Sequence, residues 1–343
     1  MTAMQPSLPL ALTMGEPAGI AAEISLKAWD RLREIGPVFF YLGSIDLLQA
    51  TARRSMLDVP LEIITSAAEA LDVFRHALPV LDIGIDLTVI EGRPSPSTAD
   101  AVITSIQRAV ALVMAGKAGA VVTNPIQKFA LQQAGFRYPG HTEFLQDLSG
   151  PGFRSTMMLV GGGLRVVPVT IHQALRDAIA DLRSDMIVST TLATVQGLQE
   201  NFGISVPRVA VAGLNPHAGE EGSMGDEEAR IIRPAIDSLL SRGIDVSGPF
   251  PPDTMFTTRA RRTYDAAICM YHDQALIPLK TLDVDGGVNV TLGLPFIRTS
   301  PDHGTALDIA GKGIAEPGSL IAALGLAAEL AGRKQGVPAL CAM

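Results

Sequence analysis

Three histidines each close a short apolar run. Val166-Val167-Pro168-Val169-Thr170-Ile171 leads into His172, and Val209-Ala210-Val211-Ala212-Gly213-Leu214-Asn215-Pro216 leads into His217. Ala266-Ala267-Ile268-Cys269-Met270-Tyr271 leads into His272. Apolar runs of this length, bounded by polar or turn residues, read as buried strands. In an open α/β sheet the carboxyl ends of the strands line the ligand crevice. Imidazoles delivered there can converge on one divalent metal and leave a coordination position for substrate. A lone histidine at a loop start carries little information. Three of the chain's six in the same context argue for a shared task.

The elements that must position them follow from pattern. Leu8 to Met14 reads as a strand, Gly15-Glu16-Pro17-Ala18-Gly19 as a turn, and Ile20 to Arg33 as a helix. Val38 to Leu42 is a further strand, after which Ser44 caps a helix starting near Ile45. Helical patterns cover Ala101 to Ala115, Asp181 to Asn201, Gly225 to Arg242 and Pro317 to Gly332. Ala118 to Thr123 reads as a strand, and Asn124-Pro125 is expected to open a helix, because proline suits a first turn. Gly140-His141-Thr142-Glu143 begins another, with free backbone donors near its start. Short strands are expected at Ile244 to Val246 and Ala266 to Tyr271. Thr156 to Val160 and Leu164 to Thr170 flank Gly161-Gly162-Gly163, which predicts an antiparallel hairpin. The expected class is therefore α/β, with a parallel sheet carrying an antiparallel portion.

Composition narrows the function. Of the 343 residues 47% are apolar and 5% aromatic, with 33 Gly and 23 Pro, which suits an α/β enzyme with many tight turns. The net charge of −8 argues against a broad nucleic-acid-binding surface. No apolar stretch is long enough to span a bilayer, and no basic leader precedes the first strand, so a cytoplasmic location is expected. Cys269 lies in an apolar run and reads as a small core residue; with Cys341 it forms neither a disulfide framework nor a CxxC metal signature. The sequence contains no GxGxxG after a strand, no P-loop, no GxSxG and no HExxH.

Lys280 follows His272 by two helical turns or by one loop, Asn289 stands in Gly287-Val288-Asn289-Val290-Thr291, and Arg298 follows Leu294-Pro295-Phe296-Ile297. Cations beside a metal site suit a substrate bearing phosphate and carboxylate. The run from Asp302-His303-Gly304-Thr305-Ala306-Leu307-Asp308 to Glu316 resembles the cofactor loop of the isocitrate and isopropylmalate dehydrogenases. That resemblance implies that His303, Gly304, Thr305, Ala306 and Asp308 approach the adenosine end of a nicotinamide cofactor. Small residues there let the backbone come close to a flat base.

Nearly the whole chain resembles the 4-hydroxythreonine-4-phosphate dehydrogenase family of pyridoxal phosphate synthesis. The likeness is carried by Gly15-Glu16-Pro17-Ala18-Gly19-Ile20, Pro139-Gly140-His141-Thr142-Glu143-Phe144, Gly213 to Glu220, Tyr271-His272-Asp273-Gln274, and Gly287 to Ser300. It implies two α/β/α domains of the isocitrate/isopropylmalate dehydrogenase type with a mixed sheet, not a Rossmann fold. Residues 1–135 plus 300–343 are then the cofactor-side domain, and 136–299 the metal, substrate and dimerisation domain. Metal ligation falls to His172, His217 and His272, with Zn, Co or Mg as the ion. Substrate contacts fall to His141, Thr142, Lys280, Asn289 and Arg298. The implied reaction is the NAD- or NADP-dependent oxidation of 4-phosphohydroxy-L-threonine, followed by loss of CO2, in a homodimer with shared sites. Lys280 is the first candidate for the base that takes the hydroxyl proton, with Asp273 and Asp253 behind it.

Two departures from the family pattern stand out. Gly19-Ile20-Ala21-Ala22-Glu23 replaces Gly-Ile-Gly-Pro-Glu, and Thr123-Asn124-Pro125-Ile126-Gln127-Lys128 replaces Thr-Ala-Pro-Ile-Asn-Lys. The alternative substrates are a four-carbon sugar-acid phosphate or an aromatic cis-dihydrodiol acid, taken by a paralogue of the same fold. A phosphate acyltransferase has a related fold but leaves the three histidines and the cofactor-like loop without a task. A non-enzyme reading, a metal-binding or structural protein, requires Lys280, Asn289 and Arg298 to be accidental.

Overall fold

The computed structural model of the chain describes residues 8–334; Cys341 lies outside them. Twelve strands appear in chain order: β1 (Leu10–Thr13), β2 (Phe39–Gly43), β3 (Leu61–Ile63), β4 (Leu78–Asp82), β5 (Val121–Val122), β6 (Thr156–Gly161), β7 (Leu164–Pro168), β8 (Val209–Ala212), β9 (Val246–Phe250), β10 (Ala266–Cys269), β11 (Val288–Leu292) and β12 (Arg298–Pro301). The chain divides into two compact units, one up to Ser155 and again from Leu294, the other Thr156–Gly293.

In the first unit the strand order is β3-β4-β2-β1-β5-β12, and every pairing is parallel. β1, β2 and β12 are buried at every position, because a parallel strand covered on both faces has no solvent side to alternate toward. Trp29, from the helix Ala21–Leu32, fills the core and donates its indole N–H to the Phe74 carbonyl at 2.8 Å. Ser44 caps the helix Ile45–Arg54 by accepting the Leu47 N–H, as the sequence predicts.

In the second unit the order is β11-β6-β7-β10-β8-β9. β11, β6 and β7 pair antiparallel, whereas β7, β10, β8 and β9 are parallel neighbours. The predicted hairpin is β6–β7, closed at the Gly161/Leu164 pair with Gly162 and Gly163 at positive φ. The sheet is therefore mixed, and the α/β class stands as expected. Leu159, Val166, Ala210, Ala267, Cys269 and Leu279 form part of one apolar cluster. Burial pushes the Cys269 thiol well above its usual range, in keeping with a core role. Among the described residues no helix is long and apolar enough to cross a membrane.

Several elements depart from expectation. The helix expected from Asp181 to Asn201 runs Ser184–Glu200, and Asp181 instead ends a separate helix, Leu175–Asp181, because Leu182 and Arg183 are extended. The stretch expected as one helix from Gly225 opens instead with a π turn, Glu228–Ile232, before Arg233–Ser241. The strand expected at Ile244 to Val246 begins only at Val246. Asn124-Pro125 does not open a helix. The Asn124 amide is spent on the Thr13 carbonyl and the Ser25 hydroxyl, each at 2.9 Å, and the helix Lys128–Gln133 starts after Gln127.

Candidate active site

In the second unit β7, β10 and β8 are adjacent and parallel, so their carboxyl ends lie along one edge of the sheet. His172 follows β7, His272 opens the helix Leu282 ends, and His217 follows β8. The pairing of β7 with β10 continues past both strands: Val169 N–H meets the Cys269 carbonyl at 2.8 Å, and the Thr170 hydroxyl meets the Met270 carbonyl at 2.8 Å. His172 and His272 each stand two residues beyond that last pair. Their rings are consequently neighbours, with centroids 5.8 Å apart. A cavity of about 480 Å³ opens beside them, lined by Thr170, His172, Gln173, Tyr271, His272 and Asp273 among others.

Gln274, buried on the first turn of the helix His272–Leu282, fastens this edge. Its carbonyl oxygen accepts the Met270 N–H at 2.7 Å, and its amide donates to the Gly213 carbonyl at 2.7 Å. One side chain thereby ties the end of β10 to the end of β8. From Gly213 the chain runs into a loop in which His217, Ala218, Gly219, Glu220 and Glu221 all have positive φ. Four of these five are not glycine, so the left-handed run is strained and needs support. The buried Glu228 carboxylate provides it, accepting the Leu214 and Asn215 N–H groups at 2.7 Å each and the Asn215 amide at 3.0 Å.

Burial alone would raise the Glu228 pKa, but the Asn215 and Leu214 donors outweigh it and hold the carboxyl below the usual range. A depressed folded-state pKa adds stability that is complete above the unfolded carboxylate value and is lost as pH falls through the folded one. Glu228→Gln is expected to lower stability at neutral pH by about 1–3 kcal/mol, since its amide would face the same N–H donors. The loss should shrink toward acid pH. Equal melting temperatures for variant and parent at neutral pH would show that the carboxylate does not hold the loop.

The donor chemistry of His172 and His272, paired on one cavity, fits a divalent transition metal. Among the described residues no group of three or more His, Cys, Asp or Glu side chains stands at metal-holding separation. His217 is thus placed at the end of the neighbouring strand but is not gathered with the other two. Asp273 lies against the ring of its own neighbour, 2.7 Å from His272 Nδ1. Asp253 is exposed in the short helix Pro252–Met255. Lys280 lies two turns along the helix from His272, which resolves the choice between helix and loop. Asn289 is on β11, with its side-chain oxygen enclosed and unpartnered among the described residues.

In the first unit Arg298 begins β12 and is almost fully buried. Its Nη2 and Nε donate to the Thr123 hydroxyl at 2.6 and 3.1 Å. Burial lowers its pKa to about 10, which leaves the guanidinium charged at neutral pH. His141 opens the helix His141–Leu148, followed by Thr142. Its Nε2 is enclosed without a partner among the described residues. Desolvation, then the charges of Arg298 and Lys128, hold the imidazole well below its usual pKa and therefore neutral.

The model of the pyridoxal phosphate biosynthetic protein PdxA family matches residues 36–327. A 4-hydroxythreonine-4-phosphate dehydrogenase from Bradyrhizobium diazoefficiens is 54% identical over 337 residues, covering 95% of this chain and 98% of the relative. The chain belongs to the PdxA family. A crystal structure of a 4-hydroxythreonine-4-phosphate dehydrogenase from Klebsiella pneumoniae superposes with a TM-score of 0.84 at 38% identity, covering 95% of this chain and 100% of the other. A terephthalate 1,2-cis-dihydrodiol dehydrogenase from Burkholderia xenovorans superposes with a TM-score of 0.61 at 28% identity, covering 97% and 99%.

Both departures from the PdxA pattern now have a structural setting. Ala21 and Ala22 are buried at the start of their helix, and the Ala21 methyl lies 2.9 Å from where a Cβ on Gly15 would stand. Asn124 adds two buried hydrogen bonds between β1, the first helix and the Thr123 segment that carries the Arg298 contact. The loop read as the cofactor segment begins at His303, whose Nδ1 lies 2.9 Å from the Gly304 carbonyl and whose Nε2 is enclosed without a partner among the described residues. A Cβ on Gly304 would meet nothing within 4 Å, so this stretch of backbone is open to a ligand. The supporting roles of Thr123, Gln274 and Glu228 are not readable from local sequence, because each acts through partners outside its own element.

Proposed function

We propose that this member of the PdxA family catalyses the NAD- or NADP-dependent oxidation of 4-phosphohydroxy-L-threonine to 2-amino-3-oxo-4-phosphooxybutyrate, which loses CO2 to give 3-amino-2-oxopropyl phosphate. The observation that carries it is the 54% identity with a 4-hydroxythreonine-4-phosphate dehydrogenase over almost the full length of both chains. The paired imidazoles of His172 and His272 support a divalent-ion requirement.

His172, His272 and His217 are assigned as the metal ligands, with Zn or Co suiting imidazole better than Mg. A bound ion supplies the Lewis acidity that lowers the substrate hydroxyl pKa, and the dinucleotide supplies the hydride acceptor. Arg298 and neutral His141 hold the anionic end of the substrate, with Thr142 beside them. Asn289 orients the amino-acid portion through its enclosed oxygen. Lys280 takes the hydroxyl proton as the carbon is oxidised, and Asp273 and Asp253 are its competitors for that role. His303, Gly304, Thr305, Ala306 and Asp308 hold the adenosine half of the cofactor. The resulting β-keto acid decarboxylates readily because the developing carbanion becomes an enolate. The chain is assigned as a cytoplasmic homodimer whose subunits share their sites.

A second reading is favoured by the superposition with the terephthalate dihydrodiol dehydrogenase. The discriminating experiment is reduced-nicotinamide formation from NAD+ and NADP+ with each substrate in parallel, with added Zn, Co or Mg. Turnover of the phosphorylated amino acid with little turnover of the cis-dihydrodiol is expected. The reverse preference would replace the first reading with the second.

A further inference from the structure

The helix Ala21–Leu32 presents Glu23, Lys27 and Arg31 at intervals of four residues, which places them in one stripe. All three meet the segment just before the last helix. The Lys27 ammonium donates to Glu23 at 2.8 Å, to the Gly313 carbonyl at 3.0 Å and to the Ala315 carbonyl at 2.8 Å. These use all three of its donors. The buried Glu23 carboxylate also accepts the Ala315 N–H at 2.8 Å, and Arg31 pairs with Glu316 at 3.1 Å. The same helix start fixes the other end of the loop. Ile20 N–H donates to the Thr305 carbonyl at 3.1 Å, and a Cβ on Gly19 would stand only 2.7 Å from that oxygen. Between these anchors Ala306 adopts a left-handed conformation that an alanine rarely takes unaided.

We propose that Lys27, seated on Glu23, is a positioning residue that holds the 303–316 loop in its dinucleotide-binding form. The inference rests on the reading of that loop as the cofactor segment. Lys27 has no donor left for a ligand, so its effect passes through the backbone it tethers. Without it, two carbonyls and a buried carboxylate lose their shared cation, and the loop must be ordered when the dinucleotide binds. Apparent affinity then falls by the fraction of molecules already in the competent form.

The test is calorimetric titration of the full-length protein with NAD+ and with NADP+, alongside amide exchange at Ala315 and steady-state kinetics. Lys27→Met is expected to raise the dinucleotide Kd and KM roughly tenfold or more, as a competent fraction near one tenth would. Substrate KM should stay unchanged, Ala315 should exchange faster, and Lys27→Arg should restore much of both. Parental dinucleotide affinity in Lys27→Met overturns the proposal, whether or not Ala315 exchange changes. Gly304→Val separates the two layers. If it weakens dinucleotide binding while Lys27→Met does not, only the clamp is wrong; if it leaves binding intact, the cofactor-loop reading itself fails. Should Lys27→Met not fold, as judged by its melting curve, Lys27→Gln carries the same comparison, since it keeps a donor but not the charge.

Discussion

His172→Ala and His272→Ala are each expected to strip the protein of tightly bound divalent metal and to reduce kcat by about a thousandfold or more. The two rings are neighbours because the pairing of β7 with β10 runs on through Thr170 and Met270 and releases each histidine two residues later. Removing either leaves two of the three assigned imidazoles and breaks the one ring pair that already shares the cavity, too few donors to retain an ion through gel filtration. Metal-derived stabilisation of the transition state amounts to several kcal/mol, and each ~1.4 kcal/mol is a factor of ten in rate. The fold should survive, since His172 is exposed and His272 half-buried. Elemental analysis of the desalted variants, read beside their melting temperatures, checks this. A variant with parental metal content and parental kcat would remove its histidine from the site.

Arg298→Met is expected to separate activity from stability. The guanidinium is buried against the Thr123 hydroxyl, and burial already lowers its pKa to about 10. Taking a charge out of water is costly, so an apolar chain of similar length relieves that desolvation, while the buried Thr123 hydroxyl loses its partner; the two effects oppose each other in stability. A charge-assisted bond to phosphate or carboxylate is worth about 1.5–3 kcal/mol, so its loss should lower kcat/KM by roughly ten- to a hundredfold. Melting temperature should change little while kcat/KM falls. Unfolding of the variant with no selective kinetic defect would make Arg298 a structural residue instead.

The strand-end histidines were legible because the apolar runs before them are local patterns, and a parallel sheet sends all its carboxyl ends to one edge. The β6–β7 hairpin and the Ser44 cap were legible for the same reason: turn and cap chemistry acts over a few residues. What the sequence hid is long-range. Gln274 reads as an ordinary polar helix residue, yet it bridges Met270 to Gly213, 61 positions away. Lys27 pairs in sequence with Glu23, but its other partners lie 286 and 288 positions on. Asn124 shows the opposite failure. A residue suited to begin a helix was committed to a tertiary contact, and the helix started later. β3 is three residues long, too short for periodicity to register. β11 does alternate between glycines, and its Val288-Asn289-Val290 pattern is a strand signal of the same local kind.

The central claim is that histidines from three adjacent strand ends share one divalent ion. Anomalous diffraction from crystals of the full-length protein grown with zinc tests it most directly. The account predicts a single strong peak within about 2.0–2.1 Å of a ring nitrogen of each of His172, His217 and His272. A peak held by other residues, or one that includes His172 and His272 while His217 remains apart, would contradict it.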